Sequence, residues 1–361
     1  MVFGEAHFKH VRTKERNRVC ADAYREYQDI LCENMFIEYL CICVPWCMAF
    51  YMWLSDKWTD YELLDCSGGE KLERWGRYTL VRPDPQVIWR SPRIHPRWKN
   101  PDAHYERSQS GGGQWNKGRI PASWQVVYGE FTFNVSLMNF KHTGLFPEQA
   151  VNWEFISDKI RRATHGERGN RRKISVLNLF AYTGGATLAA AAAGAGVCHV
   201  DAARGMVLRA KENAKISGLE EKPIRWIVDD CAKFVEREIR RGHKYDAVIM
   251  DPPSYGRGPS GEVWKLEDGL YDFLKLCTGV LSDDPLFVLI NSYTAGLSPS
   301  TLTYITRSLL GGYAECGELG LPVTGYGDSS ARPLALPCGA TCRWQKQEDR
   351  YTREYNPKSD T

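Results

Sequence analysis

The chain has 361 residues, 43% hydrophobic and 25% charged, with a formal net charge of +3 and a pI near 8.2. This composition excludes collagen-like, low-complexity and disordered chains and leaves ample length to bury the core of about two domains. The mildly basic balance permits a nucleic-acid partner without requiring one. The 12 cysteines include no C-x-x-C pair and no His/Cys spacing suited to zinc. No metal site is therefore expected, and free buried thiols in a reducing, cytoplasmic setting are the favoured reading.

Residues 1–56 differ in texture from the rest of the chain and read as an atypical extension. Arg12 to Arg25 is charged and helix-like, whereas Tyr39 to Ser55 (YLCICVPWCMAFYMWLS) carries no charge and is interrupted by Pro45. That run sits at the lower edge of a transmembrane length and lacks the position and flanks of a signal peptide. A buried or partner-facing helix is favoured over a membrane anchor.

Residues 57–140 alternate over short runs with turn signals at Ser67-Gly68-Gly69 and Gly129, and predict a small β-rich accessory domain. Val127, Phe131, Phe133 and Val135 mark one pair of strands. Between the strands, Trp89 to Arg119 holds seven Lys/Arg against two acids, interleaved with Trp89, Trp98, Tyr105 and Trp115. Basic groups neutralise phosphates and flat rings stack on unpaired bases, so this loop is a candidate RNA contact. The competing reading is a solvated loop whose tryptophans cover the adjoining sheet. Residues 141–345 then form the second predicted domain, and 346–361 a polar tail. Asn139–Trp153 joins the two domains, with Pro147 and Glu148 suited to opening a helix.

The second domain is organised by Ile174 to Ala193, ISVLNLFAYTGGATLAAAAA. An apolar run, Ile174 to Phe180, reads as a buried parallel strand feeding an alanine-rich helix through Thr183, Gly184 and Gly185. Paired glycines let backbone approach a ligand and aim free N–H groups at it. The strand Gly196–Ala202 ends near Asp201, Ile224–Val228 ends before Asp229 and Asp230, and Tyr245–Met250 runs into Asp251-Pro252-Pro253-Ser254-Tyr255. Acids at strand ends also serve as helix caps. The dinucleotide fingerprint G-x-G-x-x-G is absent, which disfavours a dehydrogenase. A loop at Gly256–Gly261, a helix from about Glu267 to Leu281, a strand Leu286–Ile290 and a helix Pro299–Leu310 come next. An antiparallel hairpin, Ala314–Leu321 with Leu334–Trp344, closes the domain around a surface loop at Tyr326–Arg332.

Asn178-Leu179-Phe180-Ala181-Tyr182-Thr183-Gly184-Gly185 and Asp251-Pro252-Pro253-Ser254-Tyr255 resemble the NLF-x-YTGG and DPP-x-[FY] signatures of class I S-adenosylmethionine-dependent methyltransferases. Within that class the chain looks most like the large-subunit ribosomal-RNA methyltransferase group, and the resemblance covers roughly Asp60 to Trp344. It implies an α/β fold, a doubly wound Rossmann-like methyltransferase sheet with the smaller β-rich N-terminal accessory domain. It implies S-adenosylmethionine as cofactor, with Thr183, Gly184 and Gly185 at its methionine end, Asp201 on the ribose and Asp230 on the adenine. Phe180, Tyr182 and Gln149 complete that set. Gln149 belongs to a K-x-G-x-F-x-x-Q segment read here as Lys141, Gly144, Phe146 and Gln149, with one extra residue before the glycine. Asp251, Pro252 and Tyr255 are the expected catalytic residues, and Lys141, Arg257 and Asn291 the expected substrate contacts.

Methyl transfer from a sulfonium is an in-line displacement that needs positioning more than acid–base help. Asp251 and the Pro252 carbonyl can accept from an amino group, while Tyr255 can stack on an extruded base. Cytosine-C5 enzymes of the family need a cysteine at the end of the strand that here reads Leu289-Ile290-Asn291-Ser292-Tyr293, and none is present. Nitrogen methylation of an RNA base, in ribosomal RNA foremost, is therefore expected of a cytoplasmic enzyme that a homodimer would also suit. The alternatives are a small-molecule or protein methyltransferase of the same fold, and a catalytically silent RNA-binding or assembly protein.

Overall fold

Strand β1 (Met52–Leu54) pairs in parallel with Glu318–Gly320. These three residues, grouped with the extension in the sequence, therefore belong to the main sheet. The computed structural model describes residues 52–108, 112–138, 140–164, 172–257, 263–294, 296–325 and 334–347. The helix expected at Arg12–Arg25, most of the apolar run before Met52, the loop at Tyr326–Arg332 and the end of the tail lie outside them.

Period-two alternation builds the β-rich part. Strands β2 (Tyr61–Ser67), β3 (Glu70–Trp75) and β4 (Tyr78–Pro83) form an antiparallel meander through the expected glycine turn. Strands β5 (Ala103–Arg107) and β6 (Gly113–Lys117) extend it, and β7 (Trp124–Tyr128) pairs with β8 (Phe131–Val135) around Gly129. The hairpin β5–β6 corrects the expectation of an open loop over Trp89–Arg119. Few of its residues face inward, Tyr105 against Trp115 being the chief pair, with ring centroids 5.4 Å apart. Apart from the small Ala103 and Gly113, the remaining positions are polar or charged, which hides the alternation.

A 3-10 turn at Pro147–Gln149 leads into α1 (Ala150–Thr164). The doubly wound unit comes next: β9 (Ser175–Leu179), α2 (Gly185–Ala192), β10 (Gly196–Asp201), α3 (Arg204–Ile216), β11 (Ile224–Val228), α4 (Cys231–Arg240) and β12 (Ala247–Met250). A short hairpin, β13 (Tyr255–Arg257) with β14 (Val263–Lys265), precedes α5 (Leu266–Thr278), β15 (Phe287–Ser292) and α6 (Pro299–Leu310). The pair β16 (Tyr313–Pro322) and β17 (Ala335–Gln345) ends the chain's regular structure. Cys316 and Cys342, opposite each other on these two strands, are joined by a disulfide, a departure from the expectation of free thiols. Cys66, Cys198, Cys231, Cys277 and Cys338 are free.

The main sheet runs β1-β16-β17-β15-β12-β9-β10-β11, parallel except where β17 lies antiparallel to its neighbours β15 and β16. Its central strands are buried on both faces, and for that reason read as unbroken apolar runs. The chain leaves β9 toward β10 and β11 on one side and returns to β12 on the other. That switch point opens a crevice at the carboxyl ends of β9 and β12.

One apolar cluster spans both parts, from Trp75 and Phe133 through Ile156 to Ile174 and Ala190. No helix among the described residues is long and apolar enough to cross a membrane.

Where the meander meets the joining segment, a set of charges is buried. The Glu73 side chain is fully buried and takes Arg82 Nη2 at 2.8 Å and the Tyr61 hydroxyl at 2.8 Å, with Lys71 at 3.6 Å. The adjoining cations hold its carboxyl down at about 2 although burial alone would raise it. Glu73→Ala strands Arg82 and Lys71 without their counter-charge and should cost about 3–5 kcal/mol in denaturant unfolding. Because the folded carboxyl titrates low, this contribution is full above about pH 4.3 and fades as pH falls toward 2. Melting curves of the two proteins should therefore converge over that acid range.

Candidate functional site

The turn after β9 is built from unusual backbone. Phe180 (φ 53°), Tyr182 (φ 49°) and Gly184 (φ 91°) all occupy the left-handed region, which costs a non-glycine residue about 1 kcal/mol. Hydrogen bonds hold it there: Tyr182 N donates to Asp201 Oδ2 at 2.8 Å, Ala181 N to the Val200 carbonyl at 3.1 Å, and Phe180 N to Cys231 Sγ at 3.3 Å. Gly185 starts α2 directly against α1. A Cβ on it would lie 2.5 Å from Trp153 Cζ2. The N-terminus of α2 borders the crevice, and no side chain caps it. Thr183 is committed elsewhere: its hydroxyl donates to the Gly144 carbonyl at 2.7 Å and its own carbonyl accepts Asn213 Nδ2 at 2.9 Å.

Asp201 ends β10 beside this turn. Besides Tyr182 N it accepts Ala203 N at 2.8 Å, and burial raises its carboxyl above the ordinary value against the pull of those two donors. Asp230 stands one strand further along, exposed, capping α4 by accepting Lys233 N at 2.9 Å. Asp229 pairs with Arg237. The three acids follow the sheet edge in the expected order, outside the cavity lined by Phe146, Gln149, Tyr182, Gly185 and Asp251.

Asp251 follows β12, immediately across the switch point from the turn. Burial, and secondarily the charge of Glu148, push its carboxyl up to about 7. Pro252 is buried, and Tyr255 is 52% exposed at the rim. The Pro253 carbonyl accepts Trp264 Nε1 at 2.7 Å, so one of the two carbonyls freed by the prolines is used internally. The Trp264 ring also lies 6.1 Å from Phe180, in the turn after β9. Arg257 ends β13, and its side chain lies outside the described residues.

Lys141, expected near substrate, donates Nζ to the Pro83 carbonyl at 3.3 Å, at the end of β4. Gln149 and Asn291 line the cavity as part of a closed amide set. Gln149 Oε1 accepts from Asn152 at 3.0 Å and Asn291 at 3.3 Å, while Gln149 Nε2 donates to the Tyr293 hydroxyl at 2.8 Å. Phe146 bridges Tyr182 and Tyr293, with centroids 5.5 and 5.6 Å away. The sequence alone assigns no role to Glu148 or Trp264. Pro-Glu before a helix reads as a cap, and nothing in the sequence ties Trp264 to Pro253, eleven positions earlier.

The aromatics of the basic segment cover the protein's own sheet. Trp89 Nε1 donates to the Cys66 carbonyl at 3.0 Å, Trp98 Nε1 to Asp65 at 2.7 Å and Trp115 Nε1 to the Met138 carbonyl at 2.8 Å, while Tyr105 is buried. The three tryptophans are half-buried in these positions. The charges of Arg90, Arg97, Lys99, Arg107, Lys117 and Arg119 remain exposed.

A sequence profile of the S-adenosylmethionine-dependent methyltransferases matches residues 101–268. A crystal structure of the SAM-dependent methyltransferase from Agrobacterium tumefaciens is 37% identical, with a TM-score of 0.74 over 82% of this chain and 93% of that one. The chain belongs to this methyltransferase family. Curated relatives named ribosomal RNA large subunit methyltransferase K/L match in part, at 28% over 190 residues in Syntrophotalea carbinolica and 32% over 124 in Shewanella frigidimarina. Those alignments take in 52% and 34% of this chain but only 25% and 16% of the relatives' own length.

The cofactor of the family is S-adenosylmethionine, and the turn fits it. The strained backbone, the uncapped N-terminus of α2 and the half-buried Asp201 carboxylate would hold it, and Gly185, packed on Trp153, leaves no room for a side chain there. If Asp201 holds this methyltransferase's ribose contact and its turn, Asp201→Ala should weaken S-adenosylmethionine binding about tenfold or more in calorimetric titration. Unchanged affinity would move the ligand elsewhere.

Proposed function

We propose that this methyltransferase acts on a base of RNA, with a nitrogen as acceptor and large-subunit ribosomal RNA as the preferred class, in a cytoplasmic setting. The observation that carries the reading is the place of Asp251, which follows β12 directly across the switch point from the turn after β9; burial and the charge of Glu148 raise its carboxyl to about 7. Bound S-adenosylmethionine supplies an electrophilic methyl group. The protein's part is to hold an amino group by its N–H bonds so that its lone pair is aimed, and to receive the surplus proton. Asp251 suits both tasks, because a base titrating near the working pH is half-available as carboxylate. Tyr255, exposed at the rim, suits stacking on a base taken out of its helix.

Carbon-5 chemistry finds little support. It needs a thiolate, and burial pushes Cys66 and Cys198 up to about 11 and Cys231 up to about 12. Cys338, to which the sequence alone gives no role, sits near Tyr293, but its thiol is raised well above the ordinary value too.

The RNA reading rests on the exposed basic residues of the β-rich part and on the names of the curated relatives. We take residues 57–140 as the RNA-contacting accessory domain and 141–345 as the methyltransferase domain. Trp115 joins the basic hairpin to Met138, whose sulfur accepts the Tyr182 hydroxyl at 3.6 Å. Phosphate contacts made on the hairpin would therefore fall close to the site.

Incubated with radiolabelled S-adenosylmethionine, the protein should place label in protein-free large-subunit RNA, and digestion should yield an N-methylated base. Asp251→Ala should cut that transfer by about a hundredfold or more while leaving cofactor affinity unchanged. Label at cytosine C5, or full activity in the variant, would refute the assignment of acceptor.

A further inference from the structure

Three amide side chains that line the crevice bond to one another. Asn152 Nδ2 donates to Gln149 Oε1 and to Asn291 Oδ1, both at 3.0 Å, and Asn291 Nδ2 donates to Gln149 Oε1 at 3.3 Å. An amide turned end for end has nearly the same shape, so packing alone does not choose which end is oxygen. Arg343 chooses it. This residue of β17 is buried, with its guanidinium over the rings of Trp53 at 4.2 Å and Phe155 at 4.8 Å. A guanidinium only donates, and Arg343 brings Nε to 3.2 Å and Nη2 to 2.9 Å from Asn152 Oδ1. The end of Asn152 that meets it must therefore be oxygen. Its nitrogen then faces the other two amides and fixes their facing ends as oxygens. Gln149 Nε2 is left to donate to the Tyr293 hydroxyl at 2.8 Å. One N–H of Gln149 Nε2 and one of Asn291 Nδ2 remain without a partner among the described residues.

No lysine or arginine lines this cavity among the described residues, and its wall offers N–H groups instead: the two amides and the uncapped N-terminus of α2. The one anionic group of S-adenosylmethionine is its carboxylate, which accepts hydrogen bonds and gives none. We propose that Arg343, acting through Asn152, is a positioning residue that sets the direction of the amide set, so that Gln149 and Asn291 present N–H donors to the cofactor's carboxylate. With the set reversed, the same two side chains would present carbonyl oxygens and repel that group. The charge that recognises the carboxylate thus stands one side chain behind the wall. The inference rests on the crevice as the cofactor's place and is independent of the RNA target.

Asn152→Asp tests the proposal in the full chain. The new carboxylate keeps an acceptor for Arg343, which holds it ionised, and puts a second oxygen where the nitrogen donated. Gln149 and Asn291 must then turn their nitrogens toward it. The hydroxyls of Tyr293 and Thr341, the latter 3.3 Å from Asn152 Nδ2, both give and accept and can follow. Without ligand, the nuclear Overhauser contact between the Gln149 side-chain N–H protons and the Tyr293 ring should be present in wild type and lost in the variant. In calorimetric titration S-adenosylhomocysteine should bind the variant about tenfold or more weakly, because its carboxylate meets carbonyl oxygens. Methylthioadenosine, which lacks the carboxylate, should bind both proteins equally, whereas a merely structural role would weaken the two ligands together. If Asn152→Asp does not fold, Arg343→Met carries the test. Both directions of the set are then open, and the Overhauser contact and the affinity for S-adenosylhomocysteine should each fall about twofold. An Overhauser contact that persists in the folded variant, unchanged affinity for S-adenosylhomocysteine, or an equal loss for both ligands overturns the proposal. The Overhauser contact needs no ligand, so it separates failure of the amide set from failure of the cofactor's placement.

Discussion

The left-handed backbone at Phe180, Tyr182 and Gly184 is the constraint on which the site depends. Two of the three residues carry side chains that resist this conformation, and the turn exists because surrounding groups outweigh that resistance. The Asp201 carboxylate, the Val200 carbonyl and the Cys231 sulfur each fix one N–H of the turn. The partners come from β10 and the start of α4, so the turn forms only once the sheet has assembled. Trp153 closes it from the other side, against the bare backbone of Gly185. Asp201 consequently does structural service through both of its carboxylate oxygens.

The β-rich part is bound to this arrangement more tightly than an appended module would be. Its apolar residues merge with those of α1 and α2 in one cluster. Its buried ions reach the joining segment, where Arg82 Nη1 donates to the Lys141 carbonyl at 2.9 Å. Breaking the buried Glu73 set would therefore loosen the segment that carries Glu148 and Gln149, and not the meander alone.

The doubly wound part was legible because central parallel strands are apolar on both faces. The runs that begin at Gly196, Ile224 and Pro299 become β10, β11 and α6, and the closing hairpin appears as expected. The glycine turn and the Asp-Pro-Pro run were legible because glycine and proline mark backbone directly. What escaped was set by three-dimensional contact. Hairpin β5–β6 buries too few residues to alternate visibly, and β1 is an edge strand three residues long. Lys141 and Glu148 illustrate the same limit at the site. Both are charged residues in a motif-like segment, yet one reaches back to β4 and the other is buried beside Tyr293, a difference no local pattern encodes.

Trp264 stands between the two halves of the crevice, in contact with Phe180 on one side and hydrogen-bonded to the Pro253 carbonyl on the other. It needs room to lie there, and α5 provides it at Gly269, where a Cβ would fall 2.7 Å from Trp264 Cζ3. A glycine inside a helix is ordinarily a loss of about 1 kcal/mol against alanine. At position 269 it is instead the seat of a ring that ties both motifs together. Positions 264 and 269 are thus one unit of sequence variation: a chain that dispensed with the indole could fill the glycine, and a chain that filled the glycine first would have to give up the indole.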